Sequence, residues 1–144
     1  METPNTTDFQ STSLGETHSC EYEITDNLYC GFLKLFGDVN PLHCDSSYAQ
    51  AAGFRGCVMH GAILQGFLSH FVGMVFPGKW AILLGTDFRF HAPSYLGDKV
   101  RFDAVVAQRL ENERVLVLNV TVFNLSQEAV VVRGKVKVGF VKHG

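Results

Sequence analysis

Charge is sparse in this chain, 18% of 144 residues, and neither sign forms a dense block: the 12 Lys and Arg are scattered from Lys34 to Lys142 against 14 acidic residues. Without a basic stripe to neutralise phosphates, nucleic-acid binding has no electrostatic footing. There is no Cys-x-x-Cys pair, and Cys20, Cys30, Cys44 and Cys57 are spaced ten, fourteen and thirteen apart. That usage argues against a disulfide framework and reads as buried or half-buried thiols. Gly-x-Gly-x-x-Gly, a phosphate-binding loop and a Gly-x-Ser-x-Gly elbow are all missing, so nicotinamide, nucleotide-hydrolysing and serine-hydrolase chemistries have no motif to rest on. The first eighteen residues hold no basic start, apolar stretch or small-residue cleavage site; no secretory signal is read, and the expected location is cytoplasmic.

What is present is a 47% apolar composition, a little greasier than an average globular chain and enough for one well-filled core. The surplus is expected to serve a subunit interface or a lipid-like pocket. Residues 1–17 repeat at neither a helical nor a strand period and are expected to form a flexible leader ahead of a single domain over 18–144.

Residues 20–24 suit a short strand. Thr25 and Asp26 offer caps for a helix that puts most of Leu28, Phe32, Leu35 and Phe36 on one face and ends at Gly37. Residues 38–45 read as a loop, since Asn40-Pro41 favours a turn. Ser46 is placed as the cap of a short helix closed by Gly53. A long helix is then expected from His60 to Phe76, apolar nearly all round, with only Gln65, Ser69 and His70 polar. Such a helix is buried or membrane-spanning, and the strand-rich remainder favours a buried core helix over a marginal span. Four strands follow at period two, Ala81 to Phe90, Lys99 to Leu110, Arg114 to Leu125 and Ala129 to Val141. In the last, Val132, Val136, Val138 and Phe140 point one way and Arg133, Lys135 and Lys137 the other, the mark of an antiparallel sheet with one wet face. The expected class is α+β, a curved antiparallel sheet wrapped around a long central helix, with edge strands paired in a homodimer.

Chemistry concentrates in Gly37-Asp38-Val39-Asn40-Pro41-Leu42-His43. A carboxylate and a neutral imidazole that converge on one water can orient it and accept its proton. The same residues are also good turn chemistry, with Asp38 bonding the backbone near Asn40 and His43 packed in a loop. His60-Gly61 stands seventeen residues beyond His43. The first N–H groups of a helix lack internal partners, so Gly61 N–H could bind a carbonyl oxygen as negative charge builds there; a plain helix start is the other reading. Ser69 is one of the few polar groups on the helix, and a bond back to the preceding turn would explain it as well as a site would. His43, Cys44, Asp45, Cys57 and His60 are metal-ligand types, but only Cys57-x-x-His60 approaches structural-zinc spacing, and no metal is expected.

Together with Val58-Met59-His60-Gly61, Ser69 and Phe88-x-Phe90-x-x-Pro93-x-x-x-Gly97-Asp98, this stretch resembles the MaoC-like family of (R)-specific enoyl-CoA hydratases and dehydratases, over about residues 20 to 140. The resemblance implies a hot dog fold, dimers joined through one continuous sheet, and an overhang of loop and short helices above the site. It implies that Asp38 and His43 activate the water that adds to C3 of a trans-2-enoyl thioester, that Gly61 N–H polarises the thioester carbonyl, and that Asn40, His60 and Ser69 line or support the site. No cofactor is called for. The substrate would be an acyl-CoA or acyl-carrier-protein thioester, with no nucleic-acid or membrane partner. The family usually has a small residue before Gly37, whereas this chain has Phe36, a ring expected to bear on acyl-chain range. Dehydration of a carrier-protein substrate, thioester hydrolysis on the same fold, and a non-catalytic acyl-binding module are the competing readings.

Overall fold

Strands form where the sequence alternates. In the computed structural model, which describes residues 1–142, these are β1 (Thr17–Glu23), β2 (Ala81–Phe90), β3 (Lys99–Leu110), β4 (Val115–Asn124) and β5 (Ala129–Phe140). The last two residues of the expected 18–144 domain lie outside the described residues. The strands form one antiparallel sheet in the order β1-β3-β4-β5-β2. Register follows the apolar face: Leu116 pairs with Val138, Leu118 with Val136 and Val122 with Val132, all six with no exposed surface. Arg133, Lys135 and Lys137 take the wet face, as their alternation requires.

Four helices precede β2: α1 (Asp26–Phe36), α2 (Pro41–Cys44), α3 (Ser46–Ala51) and α4 (Gly61–His70). α4 lies in the curve of the sheet: Ile63, Leu64 and Leu68 are buried, and Leu64 and Leu68 share one core cluster with Phe102, Leu116, Leu118 and Val136. This is the hot dog arrangement. The helix is shorter than the expected span of residues 60–76, because α-helical bonding stops at His70 and a π-type turn, Phe71–Val75, follows. Phe76 N–H reaches back five residues to Phe71 O at 2.9 Å. The wider turn carries Phe71, Val72 and Phe76 all into the core. Nor is α4 enclosed on every side: Ala62, Gly66, Ser69 and His70 are exposed.

Three local expectations change. The loop read at residues 38–45 contains α2, because Asn40 caps it through Leu42 N–H (3.0 Å) and Pro41 occupies its first turn. The cap of α3 is Asp45 rather than Ser46, its carboxylate accepting from Tyr48 N–H at 3.0 Å. And the stretch read as a loose leader is docked: Phe9 is fully buried in a 3-10 turn, Asn5 bonds Met74 and Lys79 through its backbone, and Arg109 donates to Phe9 O and Thr12 O. One large ring among polar neighbours has no periodicity to announce it, yet burying it contributes on the order of 2 kcal/mol. All four cysteines are free thiols. Among the described residues no helix is long and apolar enough to cross a membrane.

Candidate active site

Gly37 ends α1 in the left-handed conformation (φ 68°), its N–H bonded to Leu33 O. A side chain there would strain the turn, so glycine is what lets the chain reverse and bring Asp38 back over α4. Asp38 Oδ1 accepts from Asn40 N–H at 3.3 Å. The turn chemistry and the site are therefore not alternatives: one carboxylate oxygen builds the turn, and the other, Oδ2, is left to face two imidazoles. It lies 3.9 Å from His43 Nε2 and 3.8 Å from His60 Nε2.

The imidazoles are fixed by carbonyls. His43 Nδ1–H donates to Val58 O at 2.6 Å, which leaves the Nε2 lone pair facing Asp38. His60 Nε2–H donates to Asp38 O at 2.9 Å. The two rings lie 3.8 Å apart between centroids, and Phe32 covers the other side of His60 at 4.5 Å. Tyr29 O–H donates to His43 O at 2.8 Å. Burial, with the Cys44 thiol beside it adding to the effect, pushes the Tyr29 hydroxyl up to about 12, so it stays a donor through the physiological range.

Gly61 opens α4, and its N–H is among the first of the helix, which have no intrahelical acceptor. A Cβ at Gly61 would stand 2.9 Å from the Phe90 ring, so a larger residue would displace that ring. A cleft of about 500 Å³ lies here, lined by His43, His60, Gly61 and Leu64 on one side and by Phe90 and Ser94 on the other. Its far wall is tied down by buried Asp98, which accepts from Tyr95 N–H (2.8 Å), Asn124 (2.7 Å), Gln127 and Arg55 (3.2 Å). Met59 N–H donating to Ser94 O at 2.8 Å joins that wall to the start of α4.

Asp38, His43, His60 and Gly61 are thus brought to one place. The others are not: Asn40 spends its side-chain oxygen on capping α2, and Ser69 is exposed, roughly 12 Å further along α4. Phe36 is 71% exposed and packs on Phe32 at 4.8 Å, outside the cleft. The ligand-type residues also regroup. The atoms of Asp38, His43 and His60 lie within 4.8 Å of one another, a set that could hold a cation, while Cys44, Asp45 and Cys57 fall outside it. Tyr29 left no signal in the sequence, while Val58, Phe90 and Asp98 stand in the motifs that carry the family resemblance, where their residue types do not announce the contacts they make here.

The MaoC like domain family model matches residues 11–129. The chain is 33% identical over 92 residues to an (R)-specific enoyl-CoA hydratase of Aeromonas caviae, covering 64% of this chain and 69% of that one. It is 29% identical over 106 residues to a 3-hydroxybutyryl-CoA dehydratase of Methylorubrum extorquens, covering 74% and 68%. The solved (R)-hydratase of A. caviae involved in PHA biosynthesis superposes with a TM-score of 0.83 at 28% identity, over 92% of this chain and 99% of that one. A match that spans most of the length, a hot dog fold, and relatives that add or remove water place this chain in the MaoC-like family, as one of its hydro-lyases.

Proposed function

We propose that this protein is an (R)-specific 2-enoyl thioester hydratase, adding water reversibly across a trans-2-enoyl-CoA to give the (R)-3-hydroxyacyl-CoA. The observation that carries the reading is the free Nε2 lone pair of His43 and the free Oδ2 of Asp38, 3.9 Å apart beside the first N–H of α4. A water bound to both is oriented by Asp38 and loses a proton to His43 as its oxygen bonds to C3. The C2=C3 electron pair moves toward the thioester, and Gly61 N–H meets the charge on the carbonyl oxygen. Return of the proton from His43 to C2 completes the addition, and the reverse sequence expels water. Every step draws on residues of this chain alone. The same groups serve a thioester on coenzyme A or on an acyl carrier protein.

Pairing of two copies through β2 belongs to this proposal. β2 is an edge of the sheet, and Ile82, Leu83, Leu84 and Phe90 on it are 39–54% exposed, an apolar margin that a lone subunit would leave in water. Light scattering at micromolar concentration should return a dimer mass; a monomer would refute the pairing.

The test of function is hydration of crotonyl-CoA, followed as loss of the conjugated enoyl absorbance, with chiral chromatography of the product. The (R)-3-hydroxy thioester is expected. Release of free thiol from butyryl-CoA with no hydration would replace this reading by thioester hydrolysis.

A further inference from the structure

Three metal-ligand types meet at one point in the site. Asp38 Oδ2 lies 3.9 Å from His43 Nε2 and 3.8 Å from His60 Nε2, and one ligand atom from each of the three residues falls within 4.8 Å of the others. Two imidazoles and a carboxylate are donors that suit an ion of the zinc class, whereas magnesium and calcium take oxygen ligands. A tetrahedral ion held at about 2.0–2.1 Å would set its donors roughly 3.4 Å apart. The Asp38 carboxylate, with 52% of its side chain exposed, can turn to close the remaining distance, roughly half an ångström to either Nε2. A ligating imidazole normally donates its other N–H to a carbonyl or carboxylate, which fixes its tautomer and raises its basicity. His43 already does so, through Nδ1–H to Val58 O at 2.6 Å. His60 differs: its Nε2–H donates to Asp38 O at 2.9 Å, so to ligate it must pass that proton to Nδ1. Nδ1 is buried without a partner among the described residues, so the exchange gives up the bond to Asp38 O and no other.

We propose that a zinc-class divalent cation binds between Asp38, His43 and His60 and switches the enzyme off. Asp38 is exposed, which gives the ion a way in from solvent, while the two imidazoles, 17% and 2% exposed, are already held in place by their packing. The ion takes the place of the water and engages the Nε2 lone pair of His43. On the hydratase reading, on which the inhibition rests but the binding does not, that lone pair accepts the proton of the water and later returns it to C2. An ion held there removes the base in both directions of the reaction, so it acts as an inhibitor and not as a cofactor.

The test titrates wild type, Asp38→Asn and His43→Ala with ZnCl₂ by calorimetry and follows crotonyl-CoA hydration by wild type alongside. Wild type should bind one ion at its strongest site and, once that site is filled, lose at least about 100-fold in hydration rate, the contribution of a general base, with recovery on adding EDTA. Either variant should weaken that site at least about 100-fold, beyond the 10–100-fold that losing an outer partner of a ligand costs. Asp38→Asn keeps an oxygen for the Asn40 N–H, so if His43→Ala fails to fold by circular dichroism, Asp38→Asn decides. One equivalent of Co²⁺ should show visible d–d absorption without near-ultraviolet sulfur-to-cobalt charge transfer. That charge transfer, or zinc affinity unchanged in a folded variant, would place the ion on the free thiols and overturn the proposal. So would zinc that fills the site and leaves hydration unchanged or faster. A wild type that hydrates nothing, with zinc binding lost in Asp38→Asn, would sink the hydratase reading while upholding the cation site.

Discussion

The double replacement of Asp38 and His43 tests whether the two residues act as one device. Their facing atoms are 3.9 Å apart, too far for a direct hydrogen bond and suited to a single water about 2.8 Å from each. General acid/base groups contribute about 10²–10⁴ in rate, or roughly 2.7–5.4 kcal/mol at 1.36 kcal/mol per decade. Asp38→Asn and His43→Ala should each lose that much in kcat for crotonyl-CoA. If both hold the same water, removing either already abandons it, and the double variant should fall no more than about tenfold below the slower single. Independent residues would instead multiply, to a loss of about 10⁴ or more, so the cycle expects a coupling of at least about 1.4 kcal/mol. The assay is enoyl absorbance under single-turnover conditions, with thermal melts to show that losing the His43–Val58 bond has not unfolded the overhang. Multiplicative losses, or a single variant at wild-type rate, would refute the shared-water argument.

Phe9→Ala should destabilise the protein by about 3–5 kcal/mol in urea unfolding, because the ring has no exposed surface; a loose segment would show no loss. Tyr29→Phe should cost about 0.5–1.5 kcal/mol through the lost bond to His43 O. The folded hydroxyl is raised to about 12 while the unfolded one ionises near 10, so its contribution is fully present below about pH 10 and is lost as pH rises toward 12. Wild-type stability should therefore fall more steeply than that of Tyr29→Phe across pH 10–12, and parallel curves would count against the half-buried, protonated hydroxyl.

Local signals were read well from sequence. Gly37 as a helix stop and the alternation of β5 each depend on neighbours within a few residues, where backbone sterics and periodicity decide. That Asp38, His43 and Gly61 come close together was also legible, through the family resemblance of their motifs rather than through spacing, which suited a turn and a plain helix start. What stayed hidden rests on partners distant in sequence. Phe9 is held by Arg109, a hundred residues away. The Val58 carbonyl that sets the His43 tautomer has no side-chain identity to betray it. The π-type turn after His70 answers to which side chains the sheet must receive, which helix propensity does not encode. Asn40 shows the opposite error: a residue type suited to a site is taken up by capping a four-residue helix.

His60 shows how the site is held together. Its Nε2–H is given to the Asp38 carbonyl, so Nδ1 carries the lone pair, and that atom is buried without a partner. An unpaired buried acceptor costs on the order of 1–3 kcal/mol, which a leucine at this position would avoid. The ring recovers part of this by packing between His43 and Phe32. A leucine, however, would free the Asp38 carbonyl; Oδ2 would still face His43 Nε2 at 3.9 Å, but the hydrogen bonds left around Asp38 among the described residues would be Val39 N–H to Gly37 O and Asn40 N–H to Asp38 Oδ1, both local to the turn. Neither relates the turn to α4. Through its side chain His60 grips the carboxylate-bearing residue twenty-two positions earlier, and through its backbone it leads directly into Gly61. His60 thus ties the Asp38 turn directly to Gly61, alongside the bonds from His43 Nδ1–H to Val58 O and from Val58 N–H to Leu42 O that tie α2 to the segment before α4. That tie justifies a buried, half-satisfied imidazole at a functional site, where such local violations are expected.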